Sequence, residues 1–257
     1  MPFDLPIFLA MLVLGGVLGF VGLGGAGFIA AVMIIGFRIP VHLAFGTALG
    51  AMFVASLAGS WSHLREGNCD LVVGLQTGLA GALAAYLGSS LALATGASEL
   101  KALAGAVLAG AAIAFWLRER VTRAIRPARR QSERVKFAGS LGSIAVGLAC
   151  GLASGFLSIG VSPWIQVGLL IAHRFELRRA VGTGMLAMGF MSLAGAIGFA
   201  GGGQQDLTLL VSVILGISAG AYLGAKLTRR VPTGVLRAAI VITPMTAGTL
   251  LILAPAG

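Results

Sequence analysis

FAGSLGSIAVGLACGLASGFLSIGVSPWIQVGLLIA, residues 137–172, runs for 36 residues without one Asp, Glu, Lys or Arg. A hydrocarbon core of about 30 Å takes roughly 20 helical residues at about 1.5 Å each. The block is therefore too long for one crossing and too short for two. Near its middle, SGFLSIGVSP (154–163) interrupts the apolar run. Glycine weakens a helix, and Pro163 cannot donate the hydrogen bond a helix interior needs. The pattern predicts a hairpin of two short helical arms whose broken tip lies inside the membrane. Irregular backbone at that depth must be buried in protein or face a water-filled cavity.

The flanking charges support the hairpin. The stretch RERVTRAIRPARRQSERVK (118–136) precedes the block, and Arg174, Arg178 and Arg179 follow it. Short loops rich in Lys and Arg stay on the cytoplasmic side, so both ends of the block lie on one face, as a hairpin requires. Counting outward from there places 201–206 outside, Lys226 to Arg237 inside, Lys101 and Arg38 outside, Arg65 inside, and both termini outside. Only Arg38 and Lys101 of the 18 basic residues then face away from the cytoplasm.

Composition agrees with a membrane chain. Of 257 residues, 58% are hydrophobic and 10% charged, against about a quarter charged in soluble domains. The 40 glycines suit helices packed closely in lipid. Apolar blocks at about 5–37, 41–63, 71–96, 99–117, 137–172, 179–200, 207–225 and 235–254 give the spans. The first block resembles the fifth in length and carries GFVGLGGAG at 19–27 as its interruption. MPFDLPIFLA has no Lys or Arg before its apolar run and reads as a retained membrane segment, not a signal peptide. The net charge of +10 sits in the loops, which the positive-inside rule explains and a nucleic-acid partner does not. Cys69 falls in a loop and Cys150 in an apolar block; two cysteines make neither a disulfide framework nor a metal cluster.

A shift of 136 residues superimposes the two halves without a gap. Gly15, Gly19, Phe20 and Gly24 fall on Gly151, Gly155, Phe156 and Gly160; Arg38 and Thr47 fall on Arg174 and Thr183. Ser56-Leu57-Ala58-Gly59 falls on Ser192-Leu193-Ala194-Gly195, and Asp70 on Asp206. Between 15 and 59 there are 16 identities in 45 pairs. Each half holds one hairpin and three crossings, an odd number of crossings, so the second copy is inverted. The expected fold is an all-α polytopic membrane protein of two inverted repeats, 1–117 and 137–257, joined by the basic cytoplasmic linker 118–136. Inverted repeats with broken helices are the architecture of many secondary transporters, with the site near the midplane.

GFVGLGGAGF followed by Ala44-Phe45-Gly46-Thr47, the basic link, and SGFLSIGVSP followed by Ala180-Val181-Gly182-Thr183 together resemble the sulfite exporter TauE/SafE family of membrane transporters, over nearly the whole chain. The resemblance implies export or exchange of sulfite or organosulfonates such as sulfoacetate from a bacterial inner membrane. Two departures stand out: the first block lacks the proline common after it, and Ile159-Gly160-Val161-Ser162-Pro163 replaces a usual triple glycine.

The tips predict anion chemistry. Unpaired N–H groups and the positive end of a helix dipole hold an anion without a buried cation. Gly22, Gly24, Gly25, Gly27 and Gly160 let oxygens approach the backbone; Ser158 and Ser162 offer hydroxyls, and Gln166 an amide. Thr47 and Thr183 open the following helices, as substrate contacts or back-bonded to their own helices. Gly15, Gly50, Gly59, Gly78, Gly81, Gly195 and Gly220 read as packing residues. Asp70 and Asp206 read as helix caps, Trp61 and Trp116 as interface anchors, His42 and His173 as loop residues. No cofactor or metal is implied, and no intramembrane Asp, Glu or His is evident for proton coupling. The competing readings are an anion channel, a carrier of small carboxylates and, without a carboxylate or His cluster, a membrane-embedded enzyme. Small-residue faces are compatible with a homodimer.

Overall fold

The computed structural model describes residues 4–21, 25–124, 133–158, 161–228, 248–249 and 251–252. The described residues are helical, without strands. They form α1 (Leu5–Val21), α2 (Ala26–Phe37), α3 (Val41–Arg65), α4 (Leu71–Leu93), α5 (Ala97–Ala124), α6 (Glu133–Leu157), α7 (Ser162–His173), α8 (Leu177–Gly201) and α9 (Leu207–Thr228). α3, α4, Ser140–Leu157 of α6, and α8 are long and apolar enough to cross a membrane. The chain is a multi-pass helical membrane protein. Most of the apolar block at 235–254 lies outside the described residues, and helix continues into both ends of the basic stretch 118–136.

Both long apolar blocks are broken near the glycine clusters. α1 ends at Val21 and α2 begins at Ala26; α6 ends at Leu157 and α7 begins at Ser162. α2 and α7 have 12 residues each, about 18 Å of helix, well short of a 30 Å core. Each ends at a left-handed arginine, Arg38 (φ 53°) and Arg174 (φ 52°). These helix ends, like the starts of α3 and α8, differ by the same 136 residues as the sequence repeat. Aspartates start the next helices. Asp70 Oδ1 accepts from Val73 N at 3.1 Å, and Asp206 Oδ1 from Thr208 N at 2.7 Å and Leu209 N at 3.1 Å, as an N-cap does.

Glycines set how the helices meet. A Cβ on Gly155 or Gly151 of α6 would strike the backbone of Ala85 or Gly81 of α4, and one on Gly220 of α9 the backbone of Leu12. Contacts advance together along each pair (Gly147 at Thr77, Gly155 at Ala85; Gly216 at Phe8, Gly220 at Leu12). So α4 lies parallel to α6, and α1 parallel to α9. α3 and α8 run antiparallel, with Gly59 against Met185 and Gly195 against Leu49. All seven glycines read as packing residues meet a neighbouring helix in this way. The outer face of α4 presents Leu75, Leu79, Leu83 and Leu87, the surface that lipid would cover.

Some side chains sit differently from their sequence reading. His42 is the second residue of α3, with Nε2 3.0 Å from Ala92 O, and His173 ends α7, buried and 2.5 Å from Ser143 Oγ. Both belong to helix ends: α3 starts at Val41, as its apolar block does, and the connection between α7 and α8 is shorter than the blocks implied. Lys101, counted on the outer side, lies in the second turn of α5 and is 4% exposed.

Candidate functional site

The second tip rests on the start of α3. Ser158 holds a left-handed backbone (φ 50°), is fully buried, and donates its hydroxyl to Phe45 O at 2.7 Å. Phe45 packs edge-on to Phe199 at 6.5 Å, and Gln205 Nε2 donates to Gly46 O at 2.9 Å. Phe45 lies eight residues before Phe53, the middle residue of α3, a rise of about 12 Å. Ser158 thus meets α3 toward its N-terminal end, not at its middle. The hydroxyl hydrogen of Ser158 is committed to the protein, so it is not a donor to a guest in this conformation.

Other candidates divide between two places. Thr47 is fully buried and its hydroxyl has no partner, whereas Thr183 Oγ1 accepts from Asp70 N at 2.9 Å. With Leu49 opposite Gly195 and Gly59 opposite Met185, Thr47 stands level with residue 197, about 21 Å along the pair from Thr183. One small anion cannot touch both. Gln166, buried in α7, lies against Gly184, next to Thr183. The second hairpin thereby reaches both Ala-x-Gly-Thr elements, through Ser158 at one end and Gln166 further in. Ser162 is half-buried at the first residue of α7, and Gly27 is buried in α2. Gly25 caps α2 against the Leu18 side chain. Gly22, Gly24 and Gly160 lie outside the described residues.

Near Thr183 there is also charge. Asp70 Oδ2 pairs with Arg179 Nη2 at 2.6 Å, and the guanidinium lies 4.8 Å over the Phe175 ring. Burial pushes the neighbouring Cys69 thiol above its ordinary value, and a hydrogen bond from Thr183 partly offsets this. Among the described residues no group of three or more His, Cys, Asp or Glu could hold a metal ion.

Sequence reasoning passed over a further set. Ser56, Ser154 and Ser192 are buried to 1%, 0% and 0% exposure, and their hydroxyls have no partner. A signal was present for two of them: Ser56 and Ser192 superimpose in the repeat, inside the shared Ser-Leu-Ala-Gly run.

A family model described as sulfite exporter TauE/SafE matches residues 7–251. The chain belongs to this family. A probable membrane transporter protein of Bacillus subtilis (strain 168), YdhB, is 38% identical over 96% of this chain and 99% of its own length. A probable membrane transporter protein of Xylella fastidiosa (strain 9a5c) is 31% identical over 84% of this chain and 83% of its own. A second Bacillus subtilis protein, YjnA, also named a probable membrane transporter, is 27% identical over 87% of this chain and 90% of its own length. No solved structure matches. This TauE/SafE member is a membrane transporter, not an enzyme.

Proposed function

We propose that this protein exports sulfite or a small organosulfonate across a bacterial inner membrane by alternating access between two inverted repeats, with both termini outside. One observation carries the reading. α3 and α8 occupy matching places in the repeat, each directly after an interrupted hairpin, and they pack antiparallel. Two copies so related exchange conformations to convert an opening on one face into an opening on the other. The family description supplies the substrate class.

In this reading the tip glycines Gly22, Gly24, Gly25, Gly27 and Gly160, with Ser158, Ser162 and Gln166, line the route. Thr47 and Thr183 act at its two ends in turn. Ser158 is released from Phe45 when its end opens. An inside-negative potential drives an anion outward by about 2.3 kcal/mol per charge per 100 mV, so uniport suffices.

Sulfite efflux from proteoliposomes tests this. Saturable, counter-stimulated flux that rises with an imposed potential supports a uniporting carrier. Flux that ignores potential and follows a pH or Na⁺ gradient refutes uniport. Flux that neither saturates nor shows counter-stimulation favours a channel.

A further inference from the structure

The two ends of the α3–α8 pair are built alike but held by different chemistry. At one end the turn after α3 crosses the start of α8: a Cβ on Gly182 would strike Asn68 O and His63. At the other the turn after α8 crosses the start of α3: a Cβ on Gly46 would strike Gln204 O and Phe199. The next helices follow the same rule, with Gly74 of α4 against Leu186 of α8, and Gly50 of α3 against Leu210 of α9. Each of these residues lies 136 positions from its counterpart.

At the Thr183 end the fastening is ionic. Asp70 Oδ2 pairs with Arg179 Nη2 at 2.6 Å, joining the starts of α4 and α8. The Arg179 guanidinium lies 4.8 Å over the Phe175 ring, which stacks on His173 at 5.0 Å. His173 Nε2 is in turn 2.5 Å from Ser143 Oγ of α6. One chain of contacts therefore runs from α4 through α8 to both arms of the second hairpin. At the Thr47 end, Leu43, Ile39, Phe37 and Ile7 stand in the places of Arg179, Phe175, His173 and Ser143. There Ser158 and Gln205 donate to the carbonyls of Phe45 and Gly46, and both bonds are neutral. Leucine fills the place that matches Arg179, so packing does not require the charge. The Arg179 and Asp70 side chains are 51% and 20% exposed. An ion pair so open to water holds weakly and is screened by salt, which suits a fastening made and broken in every cycle.

We propose that the Asp70–Arg179 pair is a charged gate at the Thr183 end of the transport route. It breaks when that end opens, and in breaking frees the foot of the second hairpin. The Thr47 end parts only neutral bonds, so ionic strength acts on one end and not the other. This rests on the transport reading above and assigns the gating of the same route.

Cys69, half-buried beside Asp70, reports the opening. The test uses full-length protein in lipid nanodiscs, with Cys150→Ser as the parent, and follows the rate at which a neutral polyethylene-glycol maleimide labels Cys69. Asp70→Asn keeps an oxygen to cap Val73 N. It and Arg179→Gln are each expected to raise the rate about two- to fivefold, the range for an exposed pair. A purely local effect on the thiol gives another pattern. The Asp70 carboxylate disfavours the Cys69 thiolate and Arg179 favours it, so loss of the two charges would then move the rate in opposite directions. Arg179→Lys, which keeps the charge, should stay nearer the parent. Raising salt from about 0.01 M to about 1 M, which shortens the screening length from about 30 Å to about 3 Å, should speed labelling of the parent and leave Arg179→Gln unchanged. Rates that move oppositely in the two variants, or that do not move, overturn the gate. Should the variants fail to fold, the salt series on the parent decides, a flat rate overturning the gate. Sulfite efflux from proteoliposomes is scored separately: its absence in the wild type overturns the transport reading, whereas efflux with unmoved labelling overturns the gate alone.

Discussion

Ser158 combines a tether and a strained backbone, and two substitutions separate them. Ser158→Ala removes the 2.7 Å bond to Phe45 O, a loss of about 1 kcal/mol for a neutral hydrogen bond. It leaves a side chain on a left-handed backbone (φ 50°), where a non-glycine residue costs about 1–2 kcal/mol. Ser158→Gly loses the same bond but relieves that strain, so the two effects nearly cancel. Alanine is expected to lower the unfolding temperature by about 2–4 °C, using the scale for domains of 150–250 residues. Glycine should leave it close to wild type. Both variants free the tip from α3, so both should alter sulfite flux to a similar degree. The assay pairs thermal unfolding in detergent with proteoliposome flux. Equal destabilisation by alanine and glycine would refute the strain argument, and wild-type flux in both variants would refute the tether's role in the cycle.

Gly155→Ala should be among the most damaging small changes, costing about 1–3 kcal/mol, because its methyl would strike the Ala85 backbone; a wild-type unfolding temperature would contradict the α4–α6 contact. Gly36→Ala, where a methyl meets nothing within 4 Å, should instead stabilise α2 by up to about 1 kcal/mol, read as a higher unfolding temperature. Thr183→Val removes the acceptor for Asp70 N and should cost about 1–2 kcal/mol while leaving the Asp70–Arg179 pair in place. The Cys69 thiol is held above its ordinary value of 9.0 by burial, and thiolate is the reactive form. Its alkylation rate should therefore still be climbing at pH 9, where a plateau would contradict the buried setting.

Much of the architecture was legible because the decisive signals are local. Gly and Pro break helices wherever they cluster, so the helix ends at Val21 and Leu157 and the starts at Ala26 and Ser162 follow from composition. The 136-residue shift is written in identities such as Arg38 with Arg174, and those arginines terminate equivalent helices. The place where the second hairpin meets α3 was not legible, because it depends on Ser158 meeting Phe45, 113 positions away. Nothing in either segment announces that pairing. The separation of Thr47 from Thr183 was hidden for a related reason: equal positions near the starts of two antiparallel helices, α3 and α8, lie at opposite ends of the pair. The unpartnered hydroxyls were missed since serine in an apolar helix normally bonds to its own backbone, and only packing reveals which serines do not.

The glycine seams have a bearing on assembly. The first helix of each half of the chain is zipped to the fourth helix of the other, α1 to α9 and α6 to α4. Neither half buries its own grooves. Expressed as two separate polypeptides cut between 124 and 133, the halves should be individually fragile yet mutually rescuing when co-produced. The mechanical units of the molecule would then be two hybrid blocks, each built from both halves of the chain.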